Sequence, residues 1–140
     1  MLSERKQRVV VGLSGGVDSA AAAYLLKLSG YEVIGVTLRT WVSADGQESR
    51  CCEISDARMT ADLLGIPYYV VNCQQAFRQA VTEPFIRSYS SGLTPNPCIL
   101  CNRHIKWEKL LEAAARFDAA LIATGHYASI MRLANGRYTV

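Results

Sequence analysis

The sequence has no apolar stretch approaching the roughly 18 residues that a membrane-spanning helix requires. Its first residues, MLSERKQRVVVG, also lack the apolar core and small-residue cleavage site of a secretory leader. The expectation is a cytoplasmic protein with no membrane partner. No segment repeats or is of low complexity. The composition of a disordered tail is missing too. Charged residues make up 19% and apolar residues 50%, enough to build one core from 140 residues. Nor does one sign of charge dominate, the formal net charge being +3 at pH 7. The bias that exists is local. Residues 1 to 70 carry seven Lys or Arg against eight Asp or Glu, whereas residues 71 to 140 carry eight against four. That asymmetry is compatible with a phosphate-rich partner facing the second half, and equally with a solvated face.

The cysteines number five, an odd count, as Cys51 with Cys52, Cys73 alone, and Cys98 with Cys101. In a reducing compartment this spacing suggests thiol chemistry or metal binding more than a disulfide framework.

Short β-branched or apolar runs alternate with helical patterns. Arg8 to Leu13 reads as a strand, followed by a glycine-rich loop and an alanine-rich helix that Gly30 ends. Val33 to Leu38 is a second strand, and Ile54, Ala57, Ala61 and Leu64 mark a helix closed by Gly65. YYVVN after Pro67 predicts a third strand and 75–90 a further helix, ended by Gly92 and the TPNP turn. A helix through Ile105, Leu110, Ala114 and Phe117 leads to a fourth strand, 119–124, and NGRY near the end predicts a hairpin turn. The alternation implies an α/β fold, a parallel sheet with helices on both faces. Ligands of such sheets bind at the carboxyl ends of the strands. The loops 14–19 and 125–127 occupy those ends.

The first of these loops is SGGVDS. Adjacent Gly15 and Gly16 let backbone amides approach an anion, and a helix beginning near Val17 adds its positive end. Ser14 and Ser19 offer hydroxyls, and Asp18 places a carboxylate where a phosphate-bridging Mg2+ would be held. The loop has no lysine, which excludes the Walker A pattern, and Gly12, Gly15 and Gly16 do not form GxGxxG. A tight strand-to-helix turn capped by Ser14 or Asp18 is the structural alternative.

In TPNPCILCN, Pro95 and Pro97 stiffen the loop. Cys101 is expected in the first turn of the following helix, beside Arg103, His104 and Lys106, where a thiolate would be favoured. Cys98-x-x-Cys101 alone fits a redox pair, half a metal site, or two core thiols.

SGGVDS after a first strand resembles the PP-loop of N-type ATP pyrophosphatases, which cleave ATP between its α and β phosphates. With TPNPC, LCN, GVTLRTW, LGIPYYVVN and ATGHYA, the chain resembles the tRNA-specific 2-thiouridylase family (MnmA, also TrmU) over nearly its whole length. The resemblance implies an adenine nucleotide alpha hydrolase-like, Rossmann-like fold. It also implies ATP-dependent adenylation of the C2 oxygen of the wobble uridine, and displacement of AMP by sulfur carried as a cysteine persulfide. The partners it implies are tRNA and a sulfur-donor protein, a cysteine desulfurase or relay protein. By position Cys101 matches the first catalytic cysteine. Asn96, Pro97 and Cys98 match a segment touching the target base. Gly12, Leu13, Ser14, Gly15, Gly16, Val17, Asp18 and Ser19 match the phosphate site, Leu38 lies near adenine, and Gly125 matches an ATP contact. Many members have Asp at the position of Cys98; a CxxC version also occurs. The family's second catalytic cysteine and its central and C-terminal RNA-binding domains lie beyond residue 140. On this reading, residues 1–140 are the ATP pyrophosphatase domain alone. Nothing in these motifs resembles a methyl-donor site.

Other residues carry weaker expectations. Cys51 and Cys52 with Cys98 and Cys101 suggest a zinc or iron–sulfur site, His104 being an alternative ligand. Cys73 reads as a small buried hydrophobe, and Trp41 and Trp107 as packing residues. His126 is expected to contact substrate or phosphate, and Arg103, Lys106 and Lys109 either RNA phosphates or solvent. Two other functions share the loop: a ligase that adenylates a small molecule, and a nucleotide- or metal-binding module without catalysis.

Overall fold

Val9, Val10 and Val11 follow one another and are all buried, which a strand achieves only when both faces of its sheet are covered. The computed structural model, which describes residues 6–41 and 53–140, has this arrangement. Strands β1 (Arg8–Gly12), β2 (Glu32–Arg39), β3 (Tyr68–Asn72) and β4 (Leu121–Ala123) form a parallel sheet in the order β3-β2-β1-β4. Val10 pairs with Ile34 on one side and Ile122 on the other.

Alternation along β1 divides the core in two. Val9, Val11 and Leu13 pack with Val33 against Ala23 of α1 (Val17–Leu28) and against Ala57 and Ala61 of α2 (Ile54–Leu64). Val10 faces the other way with Ile34, Val36 and Leu38, toward Val81, Ile105 and Leu110. Each fully buried valine or isoleucine contributes roughly 1.5–3 kcal/mol of burial free energy. The residues of that second layer come from two helical stretches. One is α3 (Gln74–Phe77), a π-helical segment Arg78–Thr82 and α4 (Glu83–Ser90); the other is α5 (Pro97–Cys101), a π-helical segment Asn102–Trp107 and α6 (Glu108–Arg116).

Three differences from the sequence reading stand out. Neither π-helical segment has a signature in the spacing of apolar residues. The helix bearing the cysteines starts at Pro97, a favoured first position, so Cys98 and not Cys101 lies in its first turn. β3 is an edge strand with Tyr69 and Val70 exposed, so the expected cover of helices on both faces does not extend over this side of the sheet. The NGRY turn forms as expected: β5 (Met131–Arg132) and β6 (Tyr138–Thr139) pair antiparallel, and Leu133 N–H donates to the Arg137 carbonyl at 2.7 Å. Among the described residues, no helix is long and apolar enough to cross a membrane.

Strand order positions the site. From β1 the chain moves to β2 on one side and reaches β4 on the other, so the carboxyl ends of β1 and β4 flank the crevice where the winding reverses.

Candidate functional site

The loop after β1 is anchored from below. Leu13 N–H donates to the Val36 carbonyl at 2.8 Å, and the buried Thr37 hydroxyl donates to the Leu13 carbonyl at 2.7 Å. The Tyr68 phenol donates to Thr37 Oγ1 at 2.8 Å, carrying the anchor into β3. Above Leu13, Ser19 is 4% exposed. Its hydroxyl donates to the Gly16 carbonyl at 3.0 Å and accepts from Ser14 N–H at 3.2 Å, and the two hydroxyls lie 3.2 Å apart. Ser14 Oγ also accepts from Gly16 N–H at 3.3 Å. The two serines therefore shape the loop rather than stand free as donors.

Among the described residues no side chain caps α1, whose N-cap is Gly16. Ser14 does cap the turn, through the Gly16 N–H, but among the described residues no side chain takes the first N–H groups of α1, where the helix dipole favours an anion. Gly15 has φ +85, and a Cβ there would lie 2.9 Å from the Glu53 carbonyl, so only glycine fits this bend. Gly125, on the loop after β4, packs against the Asp18–Ser19 peptide in the first turn of α1. A Cβ on it would lie 2.6 Å from Ser19 N and 2.7 Å from Asp18 C. The uncapped helix end, the glycine bend and the Asp18 carboxylate in the first helical turn form a donor set that suits a phosphate chain with its magnesium ion.

Between the ends of β1, β2 and β4 and the two π-helical stretches lies a cavity of about 520 Å³. Gly12, Leu13, Ser14, Asp18 and Ser19 line it from the phosphate-loop side and Gly125 and His126 from the loop after β4. Pro97, Cys98, Cys101 and Lys106 line it from the cysteine-bearing helix, and Leu38 from the end of β2. The two separated motifs of the sequence thus share one cavity. Gly15, Gly16, Val17, Asn96 and Arg103 are not among its lining residues. Arg103 is exposed, whereas Asn96 acts on the helix itself: its side chain caps α5 through Cys98 N–H.

Residues without a local signal complete the lining. Phe77 and Val81 arrive from the first π-helical stretch, Asn102 and Leu110 from the second, and Thr40 and Thr124 from strand ends. The last two were findable, since ligands gather at strand ends; the others depend on tertiary placement. Trp41 is 55% exposed and lines the cavity, which corrects the expectation of a packing residue. Trp107 is 41% exposed and is likewise no core residue. Its ring centroid is 5.8 Å from that of His126, whose Nδ1 lies 2.8 Å from Thr124 Oγ1. Tyr127 donates from its phenol to Asp18 Oδ1 at 2.8 Å, and that bond to a carboxylate holds its pKa above the usual phenol value.

Cys73 is buried as expected, and burial pushes its thiol pKa up. Cys51 and Cys52 lie outside the described residues. Among the described residues no three His, Cys, Asp or Glu side chains converge on a metal position. Cys98 and Cys101 alone supply half of a four-ligand zinc or iron–sulfur site. His104 is engaged elsewhere, its Nδ1 lying 3.1 Å from Glu108 Oε1. Lys109 pairs with Glu112 at 2.7 Å, while Arg103 and Lys106 have no ion pair among the described residues.

A parallel sheet with an anion-binding loop after its first strand and a ligand crevice at the winding reversal defines a nucleotide-binding α/β domain of the PP-loop type. The model of the family described as tRNA methyl transferase HUP domain matches residues 7–140, and the chain belongs to that family. The tRNA-specific 2-thiouridylase MnmA of Lachnoclostridium phytofermentans is 51% identical over 141 residues, covering 96% of this chain and 40% of the relative. That of Clostridium kluyveri is 51% identical over 140 residues, covering 96% and 39%. The chain therefore spans about two fifths of the length of these relatives. Among solved structures, the U34-tRNA thiolase NcsA from Methanococcus maripaludis, described with its [4Fe-4S] cluster, aligns with a TM-score of 0.62 at 25% identity. The match covers 86% of this chain and 38% of that one. NMN synthetase from Francisella tularensis, at TM-score 0.53 and 24% identity over 83% of this chain and 44% of its own, shows the fold alone.

Proposed function

We propose that this chain is the ATP-binding and adenylating domain of an enzyme that 2-thiolates the wobble uridine of tRNA. The observation that carries the reading is the single cavity lined by both the phosphate loop and the Cys98 and Cys101 thiols. Thiols on the wall of an adenylating site suit a reaction that delivers sulfur to the activated atom.

In this reading the first turn of α1 and residues 12–19 hold the β,γ-phosphates that leave as pyrophosphate, with Leu38 and Gly125 at the nucleotide. Asp18 would hold Mg2+, which when bound would supply positive charge to neutralise the phosphates. Asn96, Pro97 and Cys98 position the target base, and Arg103 and Lys106 meet RNA phosphates. Adenylation converts the C2 oxygen into a leaving group. The outer sulfur of a cysteine persulfide then bonds to C2 and AMP departs. The sulfur–sulfur bond must break next. Cys101 thiolate attacks the carrier sulfur, forming a disulfide and expelling the 2-thiouridine; a cellular thiol reductant then restores both cysteines. Cys98 serves in thiol exchange with Cys101.

The RNA-binding domains and the persulfide-carrying cysteine belong, on this proposal, to parts of the protein outside these 140 residues. The sulfur comes from a cysteine desulfurase or relay protein, and the setting is cytoplasmic. The test mixes the full-length protein with ATP, magnesium and unthiolated tRNA and follows AMP and pyrophosphate. AMP formation that depends on tRNA is the expected result. Tight ATP binding with no tRNA-dependent AMP would overturn the reading.

A further inference from the structure

Tyr127 makes a contact that packing does not explain. It is 89% exposed, so its ring buries little, yet its phenol donates to Asp18 Oδ1 at 2.8 Å across 109 positions of sequence. The loop that carries it is held at the two residues before it: Gly125 lies against the Asp18–Ser19 peptide, and His126 N–H donates to Thr124 Oγ1 at 3.4 Å. A phenol presented from a fixed loop to one oxygen of a carboxylate that lines a phosphate cavity is the arrangement of an outer partner to a metal ligand.

We propose that Tyr127 is a positioning residue for the divalent cation that accompanies ATP, orienting the Asp18 carboxylate through Oδ1 and leaving Oδ2 for the cation. The inference rests on the assignment of Asp18 as the metal-holding carboxylate. Partners of this kind fix the rotamer of the ligating group, and their loss typically weakens metal binding by about 10- to 100-fold.

The test uses Mn2+ as the probe, its binding to the chain in the presence of a non-hydrolysable ATP analogue being followed by electron paramagnetic resonance. Tyr127→Phe should weaken Mn2+ binding by about tenfold, while the affinity for the analogue without metal changes less than about twofold. In the full-length protein the same variant should need about tenfold more magnesium for half-maximal AMP formation, and the activity lost at limiting magnesium should return as magnesium is raised. Equal Mn2+ affinity in Tyr127→Phe and the parent overturns the inference, as does an equal fall in metal-free analogue affinity, which would mark a merely structural contact. Asp18→Asn separates the two layers. If Asp18→Asn weakens Mn2+ binding and Tyr127→Phe does not, the role of Tyr127 fails and that of Asp18 stands. If neither does, the assignment of Asp18 itself fails.

Discussion

The backbone N–H of Cys98 donates to Oδ1 of Asn96 at 3.1 Å, so the residue before Pro97 caps the helix that carries both cavity thiols. Removing an N-cap oxygen costs about 1 kcal/mol. Asn96→Ala should therefore lower the urea midpoint at unchanged m-value, and Asn96→Ser, which keeps an oxygen acceptor, should recover most of the loss. The same pair separates capping from base contact. If Asn96→Ser restores stability but not thiolation in the full-length protein, the amide has a second task.

Gly125 tests the close approach of the two loops. Its absent side chain is what lets the loop after β4 lie on the Asp18–Ser19 peptide, and backbone atoms cannot swing away as a flexible side chain would. Gly125→Ala should push the loop off the start of α1, at a cost of about 1–3 kcal/mol by analogy with overpacking. ATP affinity should fall at least tenfold, as read by titration with a fluorescent ATP analogue. Retention of full affinity and thermal midpoint would show that the loop can shift without disturbing the anion site.

Cys101→Ser distinguishes sulfur transfer from simple adenylation. A hydroxyl in place of the thiol keeps size and hydrogen bonding but cannot attack a disulfide sulfur at neutral pH. ATP binding should stay within about twofold of the parent, while formation of 2-thiouridine by the full-length protein should fall by at least about three orders of magnitude, as for loss of an essential nucleophile. Turnover that survives the substitution would favour a ligase acting on a small molecule.

Much of this architecture was legible because local and global signals agree. Consecutive buried valines, glycines at element ends and the SGGVDS loop each dictate one conformation, and strand alternation places them on one parallel sheet. Of the two motifs of the cavity, the phosphate loop was legible for the same reason, as it sits where a strand end and a helix start meet, whereas the cysteine motif lies between α4 and α5 and was legible from its residue types. The first turn of the cysteine-bearing helix was misplaced because Pro97 reads equally as a loop residue and as a favoured first helical residue, and the cap by Asn96 decides between them. Trp41 and Trp107 could not be assigned to cavity and surface, because residue type alone does not tell which way an indole ring turns. The π-helical segments leave no trace in the sequence, since one extra residue per turn alters the register without altering the residue types; yet Val81 and Lys106 reach the cavity from them.

Cys73 gives the protein a pH dependence of known sign. Burial raises its thiol pKa in the native state, with Lys109 opposing and Glu112 and Cys101 adding to the rise. In the unfolded chain the thiol ionises near its ordinary value of about 8.5. Between that value and the higher native one, the unfolded state releases a proton that the native state keeps. Stability from the buried neutral thiol is therefore fully present below about pH 8.5 and is lost as pH rises toward the native pKa. Urea melts of the parent and of Cys73→Ala, run under reducing conditions from about pH 7 to 10, isolate this group from other titrating residues. At the lower pH the parent should be the more stable, because alanine leaves a small void among Val81, Leu110 and their neighbours. The gap should narrow steadily above about pH 8.5. A gap that stays constant to pH 10 would mean that the Cys73 thiol titrates alike in the folded and unfolded chains, and that its burial does not hold the proton.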